Sequence, residues 1–133
     1  MAVTTTAITV TAPRAAAQVN PNQTITPWQV NATSADASGC EEIKATPGAG
    51  YALVIERLIV GIGAAITVTV GSGETGPGSV EGDTFGPIGG AAGTYSFDFR
   101  DRPVQLTANK SLTFDASGAG TVGVYVEGYT RAS

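Results

Sequence analysis

Residues 103–130 constrain this chain more than any other segment. They read Pro-Val-Gln-Leu-Thr-Ala-Asn-Lys-Ser-Leu-Thr-Phe-Asp-Ala-Ser-Gly-Ala-Gly-Thr-Val-Gly-Val-Tyr-Val-Glu-Gly-Tyr-Thr. Three runs of β-formers are anchored by Leu106, by Leu112 with Phe114, and by Val122, Val124 and Val126. Ala108-Asn109-Lys110 and Ser117-Gly118-Ala119-Gly120 separate them. In the last run the valines line one face of an extended strand, and Tyr125, Glu127 and Tyr129 line the other, because successive side chains alternate. Apolar residues at every second position do not form one helical stripe, so the segment predicts antiparallel strands joined by tight connections. Asn109-Lys110 suits a hairpin turn.

The same rhythm extends upstream. Residues 51–62 carry Val54, Ile55, Leu58, Ile59, Val60 and Ile62, too dense for an edge strand. Helix is the competing reading; flanking glycines and the β-branched excess favour a central strand. Adjacent Glu56 and Arg57 face opposite sides of such a strand and read as solvated, with an interior ion pair only where subunits meet. Ile66, Val68 and Val70 alternate with threonines, placing the apolar residues inward. Gly71-Ser72-Gly73-Glu74-Thr75-Gly76-Pro77-Gly78 then reads as a turn or loop, and some of the glycine-rich stretch to Gly93, with Phe85 and Ile88 as apolar anchors, as an irregular excursion between sheets. Tyr95, Phe97 and Phe99 alternate with Ser96, Asp98 and Arg100 and are expected to supply much of the aromatic core.

The N-terminal part differs. Residues 1–27 lack aromatics, and Ala12-Pro13-Arg14 and Asn20-Pro21-Asn22 interrupt short Thr/Val/Ile runs. This region is expected to be an extended arm that packs on a neighbour or on the outside of the domain, with a brief strand over 6–11 where Ile8 and Val10 alternate with threonines. The compact domain is expected to span 28–133, beginning with a strand at Trp28-Gln29-Val30-Asn31-Ala32. Asp36-Ala37-Ser38-Gly39 reads as a turn, and residues 40–46 as a short half-exposed strand around Ile43. No helix of ten residues is convincing, and a parallel α/β fold needs crossover helices. The expected fold class is therefore all-β, an antiparallel β-sandwich or jelly roll of about seven or eight strands with an extended N-terminal arm.

Composition sets the functional expectations. The 133 residues suffice for one domain, and small side chains (Ala, Gly, Thr, Ser, Val) make its core thin, which favours burial between subunits. A net charge of −4 with seven scattered Lys and Arg argues against a nucleic-acid partner. No signal-peptide pattern is visible, and the longest apolar stretch, 58–66, is glycine-broken and too short for a bilayer, so no membrane partner is expected. The absence of His removes the usual general base, nucleophile activator and metal ligand. The carboxylates Glu41 with Glu42, Glu74 with Glu81 and Asp83, and Asp98 with Asp101 fall in loops or on solvent faces. The reading is no enzyme and no cofactor, with Glu74, Glu81 and Asp83 as a solvated acidic loop in preference to a calcium site. Cys40, the one cysteine, reads as a small buried hydrophobe. Asn31-Ala32-Thr33 matches a glycan acceptor pattern, which has meaning only on secretion.

A family resemblance rests on Leu58-Ile59-Val60, Ile66-Thr67-Val68-Thr69-Val70-Gly71, Gly86-Pro87-Ile88, the Leu106-Thr107-Ala108-Asn109 turn leading into Leu112-Thr113-Phe114, and the closing Gly120-Thr121-Val122 strand. Over 51–130 the chain resembles small jelly-roll structural proteins of tailed bacteriophages, most of all trimeric head decoration (cement) proteins. The resemblance implies a homotrimer on the capsid surface of the virion, made in the bacterial host cytoplasm. It would contact the major capsid protein and clamp neighbouring capsomers. Subunit or capsid contacts are expected at Ile8, Val10, Trp28, Tyr125 and Tyr129, the tyrosines because tyrosine is a common interface anchor. The alternatives are a phage tail or fibre component and a carbohydrate- or receptor-binding module.

Overall fold

The computed structural model describes residues 3–8, 25–35, 39–75 and 78–133. These form ten strands and no helix: β1 Val3–Ile8, β2 Ile25–Ser34, β3 Glu41–Lys44, β4 Tyr51–Ile62, β5 Thr67–Thr75, β6 Ser79–Gly89, β7 Gly93–Asp98, β8 Val104–Gln105, β9 Leu112–Ala116 and β10 Val122–Ala132. One sheet runs β1-β2-β10-β4-β7, with β8 continuing beside β7 against β4; the other runs β3-β9-β5-β6. Every pairing is antiparallel. The two sheets make a β-sandwich.

Alternation along the central strands builds the core. Leu53, Ile55, Leu58, Val60 and Ile62 of β4 and Val122, Val124 and Val126 of β10 point inward from the first sheet. Val68 and Val70 of β5 and Leu112 and Phe114 of β9 meet them from the second. Each is at most 5% exposed, so together they supply most of the apolar burial that holds the sheets face to face. Leu106 joins this core from just beyond β8, where its N–H donates to the Leu53 carbonyl at 2.9 Å.

Several expectations need correction. β5 does not stop at Gly71 but runs to Thr75, and the stretch read as an irregular excursion is β6, an eleven-residue edge strand with two register shifts against β5. The glycines belong to the strand because the chains approach closely there. A Cβ on Gly71 would lie 2.5 Å from the Gly82 carbonyl oxygen and 2.6 Å from Val80 Cγ1. Asn109 does sit in a turn, at φ +56°, but that turn joins strands of opposite sheets, so it closes no hairpin. Tyr95, Phe97 and Phe99 are half-buried at the rim of the core, because β7 is an edge strand. Glu56 is 9% exposed, not solvated: the β10 register passes from Arg57 to Ile55 and skips it.

At the N-terminus, the strand foreseen over 6–11 lies at Val3–Ile8, paired with β2 of its own chain, Val3 opposite Ser34 and Ile8 opposite Gln29. Residues 9–11, like residues 36–38 of the turn foreseen over 36–39, lie outside the described residues; Gly39, the last of that turn, is a bend at φ +90°. The domain strand foreseen from Trp28 begins at Ile25, so residue 27 falls within β2.

Candidate interaction surfaces

The outward face of the first sheet carries a polar row beside apolar ones. Cross-strand register sets Gln29, Glu127, Arg57 and Asp98 side by side on β2, β10, β4 and β7. Opposite charges on neighbouring strands attract. Asp98 also receives Arg100, whose Nε donates at 2.9 Å and whose second guanidinium nitrogen donates at 2.6 Å. These bonds, with the Arg100 backbone N–H, hold the Asp98 carboxyl far below its usual range. Tyr125 leans along the same face and its hydroxyl donates to Glu127 Oε2 at 2.8 Å.

One row further along, Gly123 of β10 pairs with Gly61 of β4, and Thr33 and Thr94 flank the pair. Two missing side chains in adjacent central strands leave a furrow of about 220 Å³. Tyr125 and Ile59 wall one end, and Asn31 lies at the rim. Neither glycine has a left-handed backbone. A Cβ on Gly61 would meet only the Gly123 oxygen, at 3.9 Å, and one on Gly123 only Thr33 Cγ2, at 3.9 Å.

On the open side of the sandwich, between edge strands β6 and β7, lies an aromatic seam. Phe85 and Phe99 have ring centroids 5.4 Å apart, and Phe97 and Phe99 stack at 6.4 Å. These rings and Tyr95 are each half-buried against the core.

Of the five contact residues foreseen from sequence, Trp28 and Tyr129 are 7% and 6% exposed, enclosed by their own chain. The Trp28 ring carries Lys44 Nζ at 5.1 Å, a cation–π contact, and burial holds the Lys44 ammonium below its usual pKa. Tyr125 alone of the tyrosines foreseen is half-exposed, on the furrow. Ile8 ends β1, and Val10 lies outside the described residues. The furrow escaped the sequence reading because its two glycines are distant in the chain; the valines flanking Gly123 were the only local sign.

The carboxylates expected in a solvated acidic loop lie instead on paired strands, Glu74 on β5 and Glu81 and Asp83 on β6, and are engaged within the chain. Asp83, at φ +49°, accepts hydrogen bonds from Ser72 Oγ at 2.6 Å and from Thr107 N and Oγ1, both at 2.7 Å. Burial raises its pKa, but these three bonds outweigh burial and leave it lowered. Glu81 pairs with Lys110 at 3.0 Å, and Glu74 accepts from the Gly78 N–H at 3.4 Å. Among the described residues no group of three His, Cys, Asp or Glu is disposed to hold a metal. Cys40 is buried, and burial pushes its thiol pKa up. No described helix is long and apolar enough to cross a membrane. The chain matches no protein-family model, no curated protein and no solved structure.

Proposed function

We propose that this chain is a structural virion protein that decorates and stabilises a tailed-phage head. In this reading it works without catalysis, as a homotrimer bridging neighbouring copies of the major capsid protein. The strand order supports reading the sandwich as a jelly roll. With β1 and β8 set aside, the pairs β2·β10, β3·β9, β4·β7 and β5·β6 are the successive rungs of one long hairpin folded over on itself. That architecture recurs in capsid and lectin domains, and fold alone does not assign function.

The observation that carries the reading is the aromatic seam. Phe85, Tyr95, Phe97 and Phe99 lie half-covered between two strand edges that no described strand continues. Exposed edges and partly exposed aromatics are what assembling surfaces use, and a closed ring of identical contacts covers the seam in every copy. Binding only the assembled shell then stabilises it by mass action, and many copies add avidity to weak contacts.

Sedimentation velocity tests the self-assembly. The wild-type chain should run as a trimer, and Phe97→Asp should run as a monomer with unchanged far-UV circular dichroism. Electron microscopy of phage heads incubated with the chain tests the docking, where ordered density on the outer shell is expected. A wild-type chain that stays monomeric and leaves the heads bare overturns the reading.

A further inference from the structure

We propose that the furrow over Gly61 and Gly123 is a subsite for one neutral pyranose ring. This is a function separate from capsid decoration. The cavity, about 220 Å³, has room for one ring and not for a drug-sized ligand. Its shape comes from glycines that the fold does not require. Gly in a strand interior weakens the strand, and at Gly61 and Gly123 neither φ nor crowding demands it; close approach of a ligand to the backbone is one use of such a glycine, and the furrow gives it room.

The lining defines the chemistry of the occupant. None of its side chains is charged, which disfavours a phosphate, a carboxylate or a cation. The Tyr125 ring and Ile59 offer apolar surface for the C–H face of a sugar. The surface of the furrow is mainly apolar, and Asn31, Thr33 and Thr94, all exposed lining residues, are the side chains there that carry donors and acceptors able to reach ring hydroxyls. Tyr125 does not have to be ordered on binding, because its bond to Glu127 at 2.8 Å already holds it. Pre-organisation of this kind lowers the entropy lost on association.

Backbone amide shifts of the full chain, titrated separately with glucose, galactose, mannose and N-acetylglucosamine to about 50 mM, provide the test, since one ring in an open site implies a Kd of about 1 mM or weaker. At least one sugar should give saturable shifts centred on Gly61, Thr94, Gly123 and Tyr125. Gly61→Val fills the floor and should weaken that sugar at least tenfold without lowering Tm. Tyr125→Ala should weaken it comparably, and Tyr125→Phe, which keeps the ring, less. Tighter binding of an oligosaccharide ending in the same sugar assigns the site to glycan ends, and equal binding assigns it to the free sugar. Absence of saturable shifts with all four sugars overturns the proposal, as does undiminished binding by Gly61→Val. Shifts at these amides that follow protein concentration instead of sugar also overturn it, in favour of a second copy of the chain.

Discussion

Gly128→Ala and Gly61→Ala place the same methyl group on neighbouring central strands and should act in opposite directions. A Cβ on Gly128 collides with the Val54 carbonyl oxygen and lies 3.1 Å from the Val54 carbonyl carbon and 3.2 Å from Trp28 Cζ2. The obstacle is backbone of β4 at the register shift beside Glu127, so no side-chain rotation relieves it. Relief requires β10 to move off β4, which adds overpacking strain of about 1–3 kcal/mol to the loss of one or two ladder hydrogen bonds at about 1 kcal/mol each. The expected loss is about 3 kcal/mol, or roughly 10–15 °C in Tm for a chain of this size. Gly61→Ala meets only one atom at ordinary contact distance and reduces the freedom of the unfolded chain, so it should gain about 0.4–1 kcal/mol. Urea unfolding followed by fluorescence reads both, because the single tryptophan, Trp28, adjoins Gly128. A Gly128→Ala chain within about 0.5 kcal/mol of wild type, a change typical of surface sites, refutes the reasoning. So does a Gly61→Ala chain that loses as much as Gly128→Ala.

Other expectations follow from the clasp at Asp83 and from Cys40. The folded pKa of Asp83 is lowered, so its contribution is present above the unfolded value and is lost as pH falls through the folded one, below about 4. Asp83→Asn should flatten that part of the stability-versus-pH curve and cost about 1 kcal/mol at neutral pH; an unchanged acid limb counts against the clasp. Asp115 works the other way: burial raises its pKa, so its contribution falls as pH rises through the carboxylate range, and Asp115→Asn should steepen the net acid loss. Cys40 should react with a thiol reagent at pH 8 much more slowly in the folded chain than in urea, with one equivalent titrating on unfolding; equal rates would show an accessible thiol.

How far the sequence discloses this structure varies by strand. β4, β9 and β10 were legible because dense or strictly alternating apolar residues encode central position locally, and Val122, Val124 and Val126 are inward as read. β6 and the second half of β5 were not. Gly71 and Gly73 resemble turn residues, but Gly71 is demanded by the approach of Val80 and Gly82 from the next strand, and Gly73 by its left-handed backbone (φ +68°) within the strand. The alternation of Tyr95, Phe97 and Phe99 is local and legible in the sequence; their half-burial is not, because strand order decides what lies beside β7. Glu41, Glu56 and Glu127 are buried for the same kind of reason: local charge signals exposure, while long-range pairing sets it. The furrow is the extreme case, a surface feature created by register between two strands far apart in the chain.

The position of β10 has a consequence for synthesis. It lies between β2 and β4, so the first sheet exists only as two separate halves until residues 122–132 have left the ribosome. Before then β2 and β4 lack the strand that joins them, although β4 can pair with β7 and β8 and β5 with β6, and the inner faces of both sheets stay incompletely covered. Folding of this chain is therefore a late event, governed by closure of its longest loop, and nascent copies lie close together on one message with those faces open. A ribosome-tethered series of increasing length should acquire protease resistance in one step, after β10 has cleared the exit tunnel, and not strand by strand.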